Sequence, residues 1–219
     1  MNPPAAAFFD VDDTLISVKS MPCFLEFYWR ARGRPATDYL DAMDRLHALT
    51  EQGRSRGEVN RAFYTLFAGA EEAAVAQCGR QWFQDASAQA GFWNEAPLAA
   101  FRRHAAAGHL TVLVSGSFGP CLDPIAAALG ADLVLCAELR SLHGNFTGTL
   151  AVPMIGDAKA AAARQVMCDH RLDPAHCYAY GDHSSDLPLL REVGHPVAVG
   201  DDPLLLSQVG SAGWSRLER

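Results

Sequence analysis

The sequence lacks the features that mark secreted, membrane-spanning and disulfide-bonded chains. No stretch approaches the roughly 20 apolar residues that a membrane-spanning helix needs, so we expect no membrane association. Asp10, Asp12 and Asp13 interrupt the apolar run at 5–9 too early for a signal peptide. The six cysteines are scattered and form no Cys-x-x-Cys pair. We therefore predict a cytoplasmic chain with buried, reduced thiols, and disulfide or zinc roles are the alternatives.

Positive charge is also in short supply. Lysine and arginine total 18 against 25 acidic residues, which gives a formal net charge of −7. This balance argues against a general affinity for polyanions, so we expect no nucleic-acid partner. With 49% hydrophobic and 20% charged residues, the composition is that of a globular protein and excludes disorder. Any phosphate chemistry would therefore need a local site, with a metal ion to offset the charge.

The pattern of apolar residues differs between two parts of the chain. Residues 5–9 form a short apolar run that predicts a buried strand, and this strand leads into an acidic loop. From 17 to 92 the apolar residues recur at helical spacing, which predicts about four helices packed through their aromatic side chains. Breaks at 33–35, Gly53 and Gly69 separate these helices.

Strands and helices alternate after Pro97. The pattern predicts strands at 110–114, 133–136, 178–180 and 197–199, a turn at 115–117 with a helix from there to about 129, further helices at 98–107, 157–170 and 186–192, and a β-hairpin at 139–152. Such alternation is typical of a parallel sheet with helices on both faces. We therefore predict an α/β fold, a Rossmann-like doubly wound parallel sheet, interrupted after its first strand by an inserted α-helical segment.

Polar residues collect where the predicted strands end. Asp10 and Asp12 follow the first strand, Ser115 the second, and Gly181-Asp182 a later one, with Asp186 one helical turn beyond. Doubly wound sheets bind ligands outside these carboxyl ends. Carboxylates that converge there repel one another unless a cation lies among them, and oxygen-only ligands suit Mg²⁺.

Four motifs together resemble those of the haloacid dehalogenase superfamily, most closely its phosphoserine phosphatase-like branch. They are FDVDDTL at 9–15, VSGS at 114–117, Lys159, and GDHSSD at 181–186, and the resemblance extends from about residue 5 to about 202. That branch carries a helical cap between its first and second motifs. The resemblance implies a core domain of residues 1–16 and 94–219, with a cap domain of residues 17–93.

The resemblance also implies roles for the first-motif and metal-site residues. Asp10 is expected to be the nucleophile that forms an aspartyl-phosphate, and Asp12 the general acid and base. Mg²⁺ is expected to be held by Asp10, by the backbone carbonyl of Asp12, and by Asp182. Asp186 is expected to support this site from behind the direct ligands.

The remaining motif residues are expected to handle the phosphoryl group. Ser115 and Gly116 would hydrogen-bond its oxygens, and Lys159 would neutralise its charge and that of Asp10. The residues alone leave alternatives open. Ser115 is also compatible with a helix cap, Lys159 with a solvated helix position, Asp13 with a turn, and His183 with a structural role.

Asp12 favours phosphatase over dehalogenase chemistry, because dehalogenation needs no acid two residues after the nucleophile. We therefore predict a Mg²⁺-dependent phosphatase that hydrolyses a small-molecule phosphomonoester, acting as a monomer or homodimer. The alternatives are a phosphoserine or histidinol-phosphate phosphatase specifically, a phosphotransferase, or a non-catalytic module that binds phosphate and Mg²⁺.

Lys19 bears on the choice of substrate. It stands nine positions after Asp10, where phosphoserine phosphatases resembling this chain carry an acid that meets the substrate's amino group. A lysine there would repel an ammonium, so we expect a substrate with a second anionic group; the alternative is that Lys19 points into solvent. Arg54, Arg56 and Arg61 are candidate anion-binding residues of the cap, but we expect them to lie on a solvated face.

Overall fold

The computed structural model describes residues 4–219 and contains a parallel sheet with helices on both faces. The strands are β1 (Ala6–Phe9), β2 (Leu110–Phe118), β3 (Leu133–Ala137), β4 (Leu139–Leu142), β5 (Asn145–Leu150), β6 (Tyr178–Gly181), β7 (His195–Val199) and β8 (Ser215–Leu217). The helices are α1 (Ser20–Ala31), α2 (Ala36–Glu51), α3 (Arg56–Tyr64), α4 (Glu72–Ser87), α5 (Glu95–Ala106), α6 (Gly119–Leu129), α7 (Asp157–Asp169), α8 (Leu187–Leu190) and α9 (Pro203–Ala212).

The six-stranded sheet has the order β3-β2-β1-β6-β7-β8, with every neighbouring pair parallel. β1 lies between β2 and β6, so the chain order reverses beside it. A crevice forms at such a switch point, outside the carboxyl ends of the strands. Each face of the sheet is covered by its own hydrophobic cluster. The predicted doubly wound fold is confirmed.

Four helices, α1 to α4, lie between β1 and α5, as the spacing of apolar residues predicts. Their aromatic side chains pack on one another and on the sheet: the rings of Phe24 and Phe67 stack at 6.0 Å, and Phe67 lies 5.1 Å from Phe118 of β2. The helical insertion therefore shares a core with the sheet. The bounds of the cap domain, 17–93, stay a prediction.

The predicted β-hairpin at 139–152 is confirmed as β4 and β5, and it contacts the helical insertion. The backbone N–H of Gly69 donates to the Phe146 carbonyl at 2.7 Å, and the Phe146 N–H donates to the Ala70 carbonyl at 2.8 Å. The hairpin thus ties the segment between α3 and α4 to the sheet domain, a connection that strand patterning does not predict.

Several predicted boundaries are wrong. The segment 115–117 is not a turn but the continuation of β2, whose register with β3 shifts between Ser115 and Phe118. α5 begins at Glu95, three residues before the predicted 98. The predicted helix at 186–192 is a 3₁₀ turn followed by the single turn of α8. The sequence reading found no element beyond 199, where the structure has α9 and β8.

Among residues 4–219, no helix is both long and apolar enough to cross a membrane. All six cysteines are free thiols, as predicted. Burial is less complete than predicted: Cys121 and Cys177 are buried, Cys168 is exposed, and the other three are half-buried.

Candidate active site

The carboxyl ends of β1 and β6 place two carboxylates side by side. Asp10 follows β1 directly and its backbone N–H donates to the Tyr180 carbonyl of β6 at 2.9 Å. Asp182 follows Gly181, the last residue of β6. A Cβ at Gly181 would lie 2.7 Å from the Asp186 Cβ, so only glycine lets Asp186 approach the strand end this closely.

Lys159 connects this group from the first turn of α7. Its Nζ donates to Asp10 Oδ1 at 2.7 Å and to Asp186 Oδ1 at 2.8 Å, and the lysine is only 4% exposed. Burial favours the neutral amine, but the two carboxylates raise the pKa of Lys159 above its ordinary value. The alternative of a solvated helix position is therefore wrong, and a permanent cation lies at the centre of the site.

Asp10, Asp182 and Asp186 form a candidate metal site. Each offers a carboxylate oxygen within 4.8 Å of those of the other two. Burial raises the pKa of Asp10 well above its ordinary value, and Lys159 opposes that rise. Burial likewise raises the pKa of Asp182, and the Asp186 carboxylate adds to the effect. Because one lysine does not balance three buried carboxylates, this oxygen-only set fits a hard divalent cation such as Mg²⁺.

Asp182 has polar partners on both oxygens. The Thr14 hydroxyl donates to Oδ1 at 3.1 Å, and the Arg219 guanidinium donates to Oδ2 at 3.1 Å. Thr14 belongs to the first motif, but Arg219 follows β8, an element the sequence reading did not predict. No spacing signal in the sequence links Arg219 to this site.

Asp12 lies beside the three-carboxylate cluster but is not a member of it. Its Oδ1 is buried and has no hydrogen-bond partner among the described residues. Burial raises the pKa of Asp12 from 3.8 to about 6. A carboxyl group with such a pKa can hold a proton near neutral pH and also accept one, as an acid–base catalyst requires.

Ser115 and Gly116 lie on β2 and line a cavity that also contains the carboxylates described above. Ser115 is 2% exposed, and its Oγ accepts a hydrogen bond from the Ser117 N–H at 3.1 Å. It does not cap α6, whose preceding residue is Phe118, so that alternative is wrong. The Gly116 carbonyl accepts hydrogen bonds from the Tyr64 hydroxyl at 2.9 Å and from Asn60 Nδ2 at 3.2 Å. α3 is thereby attached to the carboxyl-terminal part of β2, a role that sequence patterning missed.

One cavity of about 700 Å³ contains the four carboxyl groups, Lys159, Ser115 and Gly116. On the sheet side it is lined by Asp10, Asp12, Asp13, Ser115, Gly116, Ser117, Ile155, Lys159, Asp182, His183, Ser185 and Asp186. On the side of the helical insertion it is lined by Lys19, Met21, Pro22, Met43, Leu46, His47, Thr50, Arg54, Arg56, Val59, Asn60 and Phe63. Both lysines of the chain therefore lie on this cavity.

The insertion side of the cavity carries positive charge and no carboxylate. Lys19, Arg54 and Arg56 line it, whereas every acidic lining residue comes from the sheet side. Arg54, Arg56 and Arg61 are all exposed, as expected of a solvated face, but Arg54 and Arg56 also line the cavity, whereas Arg61 does not. The fold explains this, because α3 lies across the strand ends instead of outside them.

Two other predicted residues lie at the cavity edge. Asp13 has a positive φ of 57°, which fits the predicted turn role. His183 lies in the 3₁₀ region after β6, where its Nδ1 is 2.8 Å from Arg56 Nη1 and accepts the Ser185 N–H at 3.0 Å. His183 therefore connects the sheet domain to α3, and burial together with Arg56 lowers its pKa.

A parallel sheet with carboxylates and a buried lysine at its strand ends, facing a helical insertion, defines an α/β enzyme with its candidate active site between the two. The family model of haloacid dehalogenase-like hydrolases matches residues 7–191. The chain belongs to this family, and the predicted resemblance is confirmed.

Known relatives agree with this assignment. A probable phosphatase of Mycobacterium tuberculosis is 30% identical over 214 residues, which cover 95% of this chain and 73% of the relative. A phosphoserine phosphatase of the same organism is 29% identical over 221 residues, covering 96% of this chain and 69% of the relative. A solved protein of unknown function from Bordetella pertussis Tohama I superposes with a TM-score of 0.87 at 22% identity, covering 99% of each chain.

Proposed function

We propose that this hydrolase is a Mg²⁺-dependent phosphatase that acts on a small-molecule phosphomonoester through an aspartyl-phosphate on Asp10. The observation that carries the proposal is the contact of buried Lys159 with both Asp10 and Asp186. The carboxyl group of Asp12 lies beside them, and burial raises its pKa to about 6. Relatives named as phosphatases support it.

Asp10 is the proposed nucleophile. One of its carboxylate oxygens forms a bond to phosphorus, and the bond between phosphorus and the ester oxygen breaks. Lys159 holds Asp10 by Oδ1 at 2.7 Å, which fixes the carboxylate and offsets the negative charge that gathers as the phosphoryl group approaches. Ser115 and Gly116 lie on the same cavity and are the proposed partners of the phosphoryl oxygens.

Asp12 supplies and recovers the proton. It donates a proton to the ester oxygen as the alcohol leaves, and then accepts one from the water that attacks phosphorus. That attack releases inorganic phosphate and restores the Asp10 carboxylate. Asp10, Asp182 and the Asp12 backbone carbonyl are the proposed Mg²⁺ ligands. Asp186 has a carboxylate oxygen within 4.8 Å of those of Asp10 and Asp182, so it is also within reach of the ion. Bound Mg²⁺ would neutralise phosphoryl charge during transfer.

The charge of the cavity favours a substrate with a second anionic group. Phosphoserine and histidinol phosphate both carry an amino group that calls for a carboxylate partner, and the helical insertion provides none on this cavity. Lys19 lines the cavity and its ammonium has no ion-pair partner among residues 4–219. We therefore assign Lys19 to the second anion of the substrate.

Hydrolysis of p-nitrophenyl phosphate tests the reaction itself. We expect turnover with Mg²⁺, loss of turnover on addition of a chelator, and a decrease of at least about a thousandfold in kcat for Asp10→Asn. Asp157→Asn is the matched control, because it makes the same chemical change at an exposed position of α7 away from the cavity. Trapping of a phosphorylated chain in the wild type but not in Asp10→Asn would support the intermediate. An Asp10→Asn variant with normal kcat would refute the proposal.

A further inference from the structure

The cap side of the cavity has an apolar centre with cations beside it. Met21, Pro22, Met43, Leu46, Val59 and Phe63 supply the apolar surface. None of them is needed to hold a phosphoryl group or a metal ion, which the sheet side accommodates. We therefore expect these residues to contact the leaving group, which is the alcohol part of the phosphate ester.

Two helices supply four of these six apolar residues, and each lining face also carries polar residues. On α2 the lining residues are Met43, Leu46, His47 and Thr50, and on α3 they are Arg56, Val59, Asn60 and Phe63. Both sets follow the i, i+3, i+4, i+7 spacing of a single helix face. Seven residues of helix span about 10 Å, so each face is long enough to accompany a chain of several carbon atoms.

The size of the cavity agrees with an extended leaving group. Its volume of about 700 Å³ is in the range of sites for drug-sized ligands, well beyond what a phosphate ester of a three-carbon amino acid fills. A short substrate would leave the Met43 and Leu46 side chains in contact with water. Burying methylene groups against them would add binding energy instead.

Lys19 and Arg54 line the cavity together with these apolar residues. Arg54 is in the loop after α2, beyond the last lining residue of that helix, Thr50, and Lys19 immediately precedes α1. The only ion-pair partner of Arg54 in the described chain is Glu58, on an exposed face where such pairs are weak. An anionic group can therefore displace this contact at little cost.

We propose that the leaving group is an extended one, with an apolar middle that lies along the α2 and α3 faces and an anionic end that meets Lys19 and Arg54. The inference rests on the proposed phosphatase function and specifies its substrate class: phosphate esters of long-chain hydroxy acids or similar anionic amphiphiles. It excludes phosphorylated amino acids and amino alcohols as the preferred substrates.

A homologous series of ω-carboxyalkyl phosphates tests the length of the apolar part. We expect kcat/KM to rise by up to about fourfold per methylene until the chain fills the cavity. Leu46→Ala should lower kcat/KM about tenfold for the long members and leave the shortest nearly unchanged. Leu40→Ala is the matched control, because this leucine lies on the same helix, is 58% exposed and does not line the cavity.

The anionic end is tested by comparing ω-carboxyalkyl, n-alkyl and ω-aminoalkyl phosphates of equal length. Lys19→Gln should lower kcat/KM about tenfold for the carboxyl series alone. Arg45→Gln is the control, because Arg45 is exposed on α2 and does not line the cavity, and it should leave kcat/KM unchanged for all three series. Activity that is independent of chain length, or preference for the amino series, would overturn this inference and leave the phosphatase function intact. No Mg²⁺-dependent hydrolysis of p-nitrophenyl phosphate would overturn both.

Discussion

Several buried polar side chains in the sheet domain are paired with neighbouring polar groups, and His104 is an example. His104 of α5 is 8% exposed; its Nε2 lies 2.9 Å from the Tyr180 hydroxyl and its Nδ1 lies 2.8 Å from His109 Nδ1. Both ring nitrogens therefore have partners while the ring is neutral. Protonation would put a proton on each ring nitrogen, so that a donor of His104 always faces His109, and it would place a positive charge where solvent cannot reach it. Burial, with His109 adding, lowers the pKa of His104 to about 4.

This low pKa predicts acid sensitivity of the fold. Between the ordinary value of 6.5 and about 4, the unfolded chain binds a proton at His104 that the folded chain does not. The stabilising contribution is thus complete above pH 6.5 and is lost as the pH falls to 4, with a loss of about 2 kcal/mol by pH 5. Urea unfolding at pH 7 and pH 5 should show a smaller pH-dependent loss for His104→Gln than for the exposed control His170→Gln. Equal losses in the two variants would contradict the assignment.

At the scale of elements, close packing of α4 on α6 fixes the cap against the sheet. Gly79 lies in the middle of α4, and a Cβ there would be 1.8 Å from the Pro120 carbonyl oxygen. No side chain fits without separating the helices, so glycine is required by the approach and not by its backbone freedom. The apolar spacing of α4 predicts a helix at this position but carries no information on how near its neighbour comes.

Gly79→Ala and Gly210→Ala form a matched pair that tests this packing. Both replace a helical glycine, and Gly210 of α9 has nothing within 4 Å of its added Cβ. We expect Gly210→Ala to raise the free energy of unfolding by about 0.5–1 kcal/mol, from helix propensity alone. Gly79→Ala should lower it by about 2 kcal/mol or more, because the helices must move apart. Similar stabilisation of both variants in urea titrations would show that the α4–α6 contact yields easily.

The elements that the sequence predicts are those with strong local patterns. The buried runs of β1 and β6 and the amphipathic helices α1 to α4 follow from periodicity. The turn at 115–117 was wrong because serine and glycine favour turns locally, whereas pairing with β3 continues the strand. β8 is three residues long and exists only through its pairing with β7, so no local pattern announces it.

The candidate site divides in the same way. Asp10, Asp182 and Lys159 are predicted because their positions at strand and helix ends follow from the motifs, and the structure brings them together. Arg219 and the cavity-lining positions of Met43 and Leu46 were missed, since their place on the site depends on how distant elements pack. Met43 and Leu46 have the spacing of core residues and do pack on the core, yet they also line the cavity.

For the whole molecule, the net charge of −7 is unevenly distributed. Asp10, Asp182 and Asp186 are buried within 4.8 Å of one another, with Lys159 as the cation between two of them. The folded chain holds these carboxylates together at a cost that the unfolded chain does not bear, because separation relieves their repulsion. A divalent cation that binds only the folded arrangement would remove this cost and shift the unfolding equilibrium.

Mg²⁺ should therefore stabilise the fold as well as support catalysis. At a hundred times its Kd, Mg²⁺ adds about 2.7 kcal/mol, which corresponds to a Tm increase of several degrees for a chain of this length. Calorimetric melting with MgCl₂, and with NaCl of equal ionic strength, separates specific binding from screening of surface charge. Asp182→Asn should abolish most of the increase, whereas Asp201→Asn, at an exposed position after the neighbouring strand β7, should retain it. A Tm that rises equally in MgCl₂ and NaCl would mean that the three carboxylates tolerate one another without a metal ion.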